Sequence, residues 1–320
     1  MLSRRVIGFD AGGTKLLGGV VDQDLIVQHR VHRLWRGEDL SGLIETMVEA
    51  VEQARAAAPE VEAVGFGIPS LIDRRTGESV MSVHLPLDGV PFGALMSERL
   101  DLPVFVDNDA NGAVLAEQRF GAARGASDVV LLTLGTGIGG GLVLGGELYR
   151  GSVGAGAELG HMVVDMDGPL CQGGCPNRGC LEAVASGTAI GREGAEVART
   201  HPDSALGRAA LQGVAITGAL VTELGHDGDP PAREILDVVG GRLGVGIANL
   251  VNIFNPEVVV VGGGAAAGGE LLLEPARRVV AERALRPSRD VVRIVSARFG
   301  PESGMLGSAA LALDALGNGG

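Results

Sequence analysis

Lysine is nearly missing from this 320-residue chain: among its 26 basic residues only Lys15 is a lysine. Aromatic residues make up 3% and the formal net charge is −13, so neither a stacking platform nor a basic cluster is available, and a nucleic-acid footprint is excluded. No uninterrupted apolar run is long enough to span a bilayer, and the start Met1-Leu2-Ser3-Arg4-Arg5 carries no apolar leader. Together these predict a soluble cytoplasmic protein with no membrane partner. There is no G-x-x-x-x-G-K-[ST] loop, which excludes a P-loop nucleotidase. What is present is 46% apolar residues, enough to core one large or two ordinary domains.

The three cysteines are not scattered. Cys171, Cys175 and Cys180 share one glycine-rich stretch just downstream of His161. A secreted disulfide scaffold is typically short with an even cysteine count, whereas this chain is long and the count is odd. Three thiolates and an imidazole fill the tetrahedron that Zn²⁺ favours and leave no open position, which predicts a structural zinc site. Glu158 precedes His161 by one turn and Glu182 follows Cys180 by two residues, so the metal would pin both carboxylates.

Two segments share one layout. Arg5 to Phe9 reads as a strand, Asp10-Ala-Gly12-Gly13-Thr14-Lys15 as a tight polar turn, and Leu16 to Val21 as a returning strand. Val129 to Leu134, the turn Gly135 to Gly141 and the strand Leu142 to Leu144 repeat it, which predicts an internal duplication. Each turn offers backbone N–H groups and a threonine hydroxyl, equipment for wrapping phosphate oxygens. Gly135-x-Gly137-x-x-Gly140 also fits the dinucleotide fingerprint, but no helix long enough to face a pyrophosphate follows. Leu40 to Ala58 has helical apolar spacing and Val61 to Ile68 reads as a strand ending at Pro69. The strand Val104 to Val106 runs into Asp107-Asn108-Asp109, polar residues at a strand's C-terminal end, where α/β sheets place clefts. A helix follows from Ala110 to about Arg119, with helix capping as the plain alternative use of Asn108 and Asp109. Further helices are expected over Glu234 to Asn252, Gly269 to Leu285 and Gly304 to Leu316. Strands are expected over Val258 to Val261 and Val291 to Ala297, with a Gly262-Gly263-Gly264-Ala265 turn that either lets an adenine or ribose approach the backbone or serves only close packing.

Taken together, these residues resemble the ROK family of sugar kinases and sugar-responsive repressors over nearly the whole chain. Asp10 to Lys15 looks like its first phosphate motif and Gly135-Thr136-Gly137 like its second. Asn108-Asp109 resembles its sugar-binding and catalytic pair, Glu158-Leu-Gly-His161 its E-x-G-H signature, and Cys175 to Glu182 its zinc loop. The resemblance implies an actin-like ATPase (hexokinase/ribonuclease H-like) fold, two α/β domains around a cleft. The small domain would be 1–108, completed by the C-terminal helix at about 304–317, and the large one 109–303 with the zinc loop. It implies Asp109 as general base, with Asn108, Asp109, Glu158, His161 and Glu182 on the sugar. Asp10, Gly12, Gly13, Thr14, Lys15, Thr136, Gly137, Gly263 and Gly264 would hold the nucleotide, with Mg²⁺ near Asp10 and Zn²⁺ on His161, Cys171, Cys175 and Cys180. A homo-oligomer, dimer or tetramer, is implied as well.

Some positions depart from the family pattern. The zinc loop usually reads C-x-C-G-x-x-G-C, whereas Cys171 and Cys175 here enclose three residues, with Gly173 and Gly174 able to absorb the longer spacing. Pro176 stands where that loop has glycine, and Ser70 where glycine is common after Pro69. His84 reads as a surface-loop residue. The expected activity is ATP-dependent phosphorylation of a hexose, glucose to glucose 6-phosphate. N-acetylmannosamine, N-acetylglucosamine or fructose are alternative acceptors, and polyphosphate an alternative donor. A sugar-sensing regulator is the competing class. Only nine residues precede Asp10, leaving no room there for a helix-turn-helix.

Overall fold

The computed structural model describes residues 4–13, 15–35, 39–73, 75–82 and 85–318; Thr14 and His84 lie outside them. The chain opens with β1 (Arg5–Ala11), β2 (Lys15–Asp22) and β3 (Val27–Leu34), then α1 (Leu40–Ala57), β4 (Val64–Ile68), β5 (Ser70–Asp73), β6 (Glu78–Ser82), α2 (Phe92–Leu100), β7 (Val104–Asn108) and α3 (Asp109–Phe120). After these come β8 (Val129–Leu134), β9 (Ile138–Leu144) and β10 (Glu147–Leu148), followed by α4 (Leu181–Ala185), α5 (Gly187–Thr200), α6 (Ala205–Leu211), α7 (Gly218–His226) and α8 (Pro230–Phe254). It closes with β11 (Val258–Gly262), α9 (Glu270–Arg283), α10 (Ser288–Val291), β12 (Arg293–Ser296) and α11 (Ser303–Asn318).

Two compact units result: residues 1–125, 142–157 and 301–320 form the first, and 126–141 with 158–300 the second. The first contains a five-stranded sheet of order β3-β2-β1-β4-β7, antiparallel from β3 to β1 and parallel from β1 to β7. Side chains alternate across a strand. Ile7, Phe9 and Phe66 therefore share a core with Leu43 and Met47 of α1 and Phe92 of α2, Phe9 stacking on Phe66 at 5.7 Å. The alternate positions face α11, and there the helix lies directly on the sheet. A Cβ on Gly65 would sit 1.8 Å from the Ser308 carbonyl oxygen, and one on Gly307 1.9 Å from that of Gly112 in α3. Only glycine permits such approaches. They keep α3 with the first unit, so its edge falls after residue 125 instead of at residue 108.

The other five-stranded sheet, β10-β9-β8-β11-β12, repeats the layout, since β8 has β9 on one side and the parallel β11 on the other, as β1 has β2 and β4. Several elements differ from expectation: the strand read from Val61 begins at Val64, and Val291 ends α10 before β12 starts at Arg293. The Gly135 to Gly141 stretch turns only at 135–137, closed by the Gly135 N–H donating to the Gly137 carbonyl at 2.8 Å, and Ile138 to Gly141 already belongs to β9. Glycine's weak strand preference yields there to the pairing of its backbone with a neighbouring strand. Helix α8 starts at Pro230, before Glu234, because Asp229 caps it by accepting the Ala232 N–H at 3.1 Å and prolines suit a first turn.

Candidate active site

In the first unit β7 ends at Asn108 and α3 begins at Asp109. Asn108 does cap the helix: its Oδ1 accepts the N–H groups of Ala110 and Asn111 at 2.9 and 3.4 Å. Capping occupies only that oxygen, while Nδ2 reaches the Ser70 carbonyl at 3.5 Å, so the amide retains donor capacity for a ligand. Asp109 occupies the first position of α3, where the helix dipole favours its negative charge. Asp10, near the end of β1, is pushed up to about 7, first by burial and then by the charge of Asp109, with Lys15 acting against both. Two facing carboxylates and an ammonium form an electrostatic set that a divalent cation would complete, and the Asp10 side fits Mg²⁺, which takes one or two carboxylates with phosphate oxygens. Beside Asp10 the turn at Gly12 is held by Trp35, whose indole N–H donates to the Gly12 carbonyl at 3.1 Å.

In the second unit Glu158 precedes the single 3₁₀ turn Leu159–His161. Gly160 must be glycine there, since a Cβ would lie 2.0 Å from the Ile138 carbonyl oxygen. The ligand atoms of His161, Cys171, Cys175 and Cys180 all lie within 4.8 Å of one another. A tetrahedral Zn²⁺ with bonds of about 2.3 Å to sulfur and 2.0–2.1 Å to nitrogen implies S···S near 3.8 Å and S···N near 3.6 Å. Cys175 and Cys180 Sγ are 3.9 Å apart and Cys171 Sγ is 3.5 Å from His161 Nδ1, so these residues fit the ion and Cys171 fits despite its altered spacing. Gly173 and Gly174 take positive φ of 66° and 79°, which absorbs the longer loop. Glu182, on α4, is buried; its Oε1 lies 3.6 Å from Cys171 Sγ and its Oε2 accepts the Ile138 N–H at 2.8 Å. His161 and Glu182 thus meet at one sulfur.

The second unit also holds a cavity of about 1040 Å³ lined by Gly135, Thr136, Thr188, Arg192, Thr217 and Gly264, among others. Thr136 and Gly264 were expected at a nucleotide; Thr188 and Arg192 on α5 and Thr217 before α7 were not. No motif marks them in the sequence, although α5 is amphipathic over Gly187–Thr200, and glycines 187 and 218 mark close backbone approaches: a Cβ on Gly187 would lie 2.7 Å from the Gly135 carbonyl oxygen and one on Gly218 2.4 Å from that of Gly187. Thr188 Oγ1 donates to the Thr136 carbonyl at 2.7 Å and so closes the wall against the second Gly turn.

This combination of duplicated sheets, Gly turns and thiol-imidazole cluster defines an actin-like sugar-kinase class. The chain matches the ROK family over residues 6–315 and belongs to it. It is 36% identical to the glucokinase of Thermotoga maritima, covering 98% of each chain. It also resembles the crystal structure of a ROK family glucokinase from Streptomyces griseus in complex with glucose and AMPPNP, with a TM-score of 0.86, 35% identity and coverage of 97% of this chain and 99% of that one. A putative xylose repressor of Caldicellulosiruptor is 32% identical, covering 90% of this chain and 72% of that protein.

Proposed function

We propose that this protein is an ATP-dependent hexose kinase whose acceptor is glucose, phosphorylated to glucose 6-phosphate. The observation that carries this reading is Asp109, a carboxylate at a strand end and helix start, one residue after an asparagine that keeps a donor, in a chain similar to glucokinases over nearly its full length. A sugar hydroxyl is a poor nucleophile at neutral pH. Asp109 accepts its proton as the oxygen bonds to the γ-phosphorus, and the bond from that phosphorus to the bridging oxygen breaks, leaving ADP. Mg²⁺, when bound, neutralises phosphate charge. Lys15 and the Gly12–Gly13 turn supply a cation and backbone donors for the phosphates, Thr136 and Gly137 supply the second turn, and the cavity beside Gly263 and Gly264 takes the adenosine.

Glu158, His161, Glu182 and Asn108 take the remaining hydroxyls. With His161 Nδ1 turned to the thiols, Nε2 is left for a hydroxyl, the division of labour expected of a metal-bound imidazole. The test is initial-rate phosphorylation with Mg-ATP, and separately with polyphosphate, across hexoses and N-acetylhexosamines. A preference for glucose supports the proposal; a preference for fructose or an N-acetylhexosamine moves the acceptor and keeps the reaction. No turnover from folded, zinc-loaded protein favours a sugar-sensing regulator, the reading to which the repressor similarity points.

A further inference from the structure

Asp107 lies one residue before the Asn108–Asp109 pair and is buried, with 5% of its surface exposed. A buried carboxylate must be paired and hydrogen-bonded, and both of its oxygens are occupied. Oδ1 accepts the Asn108 backbone N–H at 2.8 Å and Asn111 Nδ2 at 2.8 Å. Oδ2 receives Nε and Nη2 of Arg150, each at 2.6 Å. With side-chain exposures of 17% and 8%, this is the most shielded ion pair among the described residues, unlike surface pairs such as Arg199–Glu196 at 70% and 58%. Arg150 is itself fixed. Its carbonyl accepts the Gly156 N–H at 2.8 Å, and the loop so closed packs against β5, where a Cβ on Gly154 would lie 2.0 Å from the Ile72 carbonyl oxygen.

The proton transfer assigned to Asp109 consumes neither residue. We infer that Asp107 and Arg150 are positioning residues that lock the strand end and first helical turn carrying Asn108 and Asp109. Asp107 Oδ1 binds the backbone of the next residue and the side chain four residues on, so it ties β7 to α3 across the very peptide that orients the pair. Arg150 holds that carboxylate in place. Without the guanidinium, a buried anion keeps only two hydrogen bonds, turns toward water and releases Asn108. A general base displaced by about 1 Å loses on the order of 10²-fold in rate, so a lock here controls turnover more than affinity.

The inference rests on the kinase reading and is tested on the full chain with Arg150→Gln, Asp107→Asn, the double variant and Arg150→Lys. Asp107→Asn keeps an acceptor for Asn108 and Asn111, which guards against a variant that fails to fold. Each single neutral variant should lower kcat about 10- to 100-fold with sugar and ATP KM within about threefold. The double should be no worse than the poorer single, because both break one unit, and Arg150→Lys should restore part of the rate. Amide hydrogen exchange at Asn108 should rise about tenfold in both singles while β1 and β4 keep their protection. Unchanged kcat and exchange would overturn the lock, and so would uniform loss of protection across the first unit, the mark of a merely structural pair. If the wild type phosphorylates no sugar, the kinase reading fails by itself and exchange at Asn108 still decides the lock.

Discussion

In the first unit Asn108 and Asp109 are set by backbone capping, a helix start and the shielded Asp107–Arg150 pair. In the second, His161 and Glu182 meet at Cys171, inside a cluster whose three thiols stand close together. The first arrangement is held in place by the chain's own groups, although the charged set Asp109 forms with Asp10 is one that a divalent cation would complete. The second fits a metal ion, which when bound would neutralise the thiolates, since binding a metal and deprotonating its cysteines are one event. On the proposed reading the difference separates the tasks: the proton acceptor Asp109 and its neighbour Asn108 are set by the protein itself, whereas His161 and Glu182, assigned to other hydroxyls, would be held by a metal.

That comparison breaks most sharply at Asp109. Asp109→Asn should lower kcat about 10³- to 10⁴-fold while glucose still binds, measured by steady-state kinetics and calorimetry. Equal turnover would remove the general base from the first unit.

The first arrangement has its own cost, visible at Asp10. Its carboxyl ordinarily titrates at 3.8 and is pushed up to about 7 by burial and by Asp109. Between those values the folded protein keeps a proton that the unfolded chain has lost, so unfolding releases a proton and stability falls as pH rises. The contribution is full below about pH 4 and gone above about pH 7, at most about 4 kcal/mol at 1.36 kcal/mol per unit, trimmed by solvent. Denaturant unfolding of the ligand-free protein between pH 5 and 8 should show this decline, and Asp10→Asn should flatten it.

On the other side of the comparison, stripping zinc should raise the glucose KM about 10²-fold and leave ATP binding nearly unchanged. Dye-monitored zinc release with parallel sugar and nucleotide titrations checks this. A chelated enzyme with ordinary sugar affinity would show that the second unit holds Glu182 without its metal.

Much of this was legible in the sequence because the chemistry sits in short contiguous motifs: Asp10 to Lys15, Asn108-Asp109, and Glu158 to His161 each place their residues by local geometry. The paired Gly turns were legible as a repeat, although Ile138 to Gly141 read as turn because strand pairing is a long-range event. Arg150 was not legible, since its partner lies 43 residues away and only the fold brings them together. The cavity wall on α5 and α7 was missed for a related reason: α5 is amphipathic over Gly187–Thr200, but only the fold shows that Thr188 and Arg192 line a cavity.

Within the second unit the same contrast can be drawn between two adjacent glycines. Gly263 has φ of 85°, and a Cβ there would sit 2.4 Å from the Leu134 carbonyl oxygen, so its place is fixed by protein backbone. Gly264 has nothing within 4 Å of where its Cβ would go, yet it lines the large cavity. Gly263→Ala should therefore lower stability by about 1–3 kcal/mol, the cost of strain at a left-handed site. Gly264→Ala should leave the unfolding midpoint within about 1 °C and raise only the ATP KM, about threefold. Thermal melts beside ATP saturation curves measure both, and a Gly264→Ala protein with unaltered ATP KM would remove adenosine from this cavity, because the added methyl has nowhere to go except into the space the nucleotide needs.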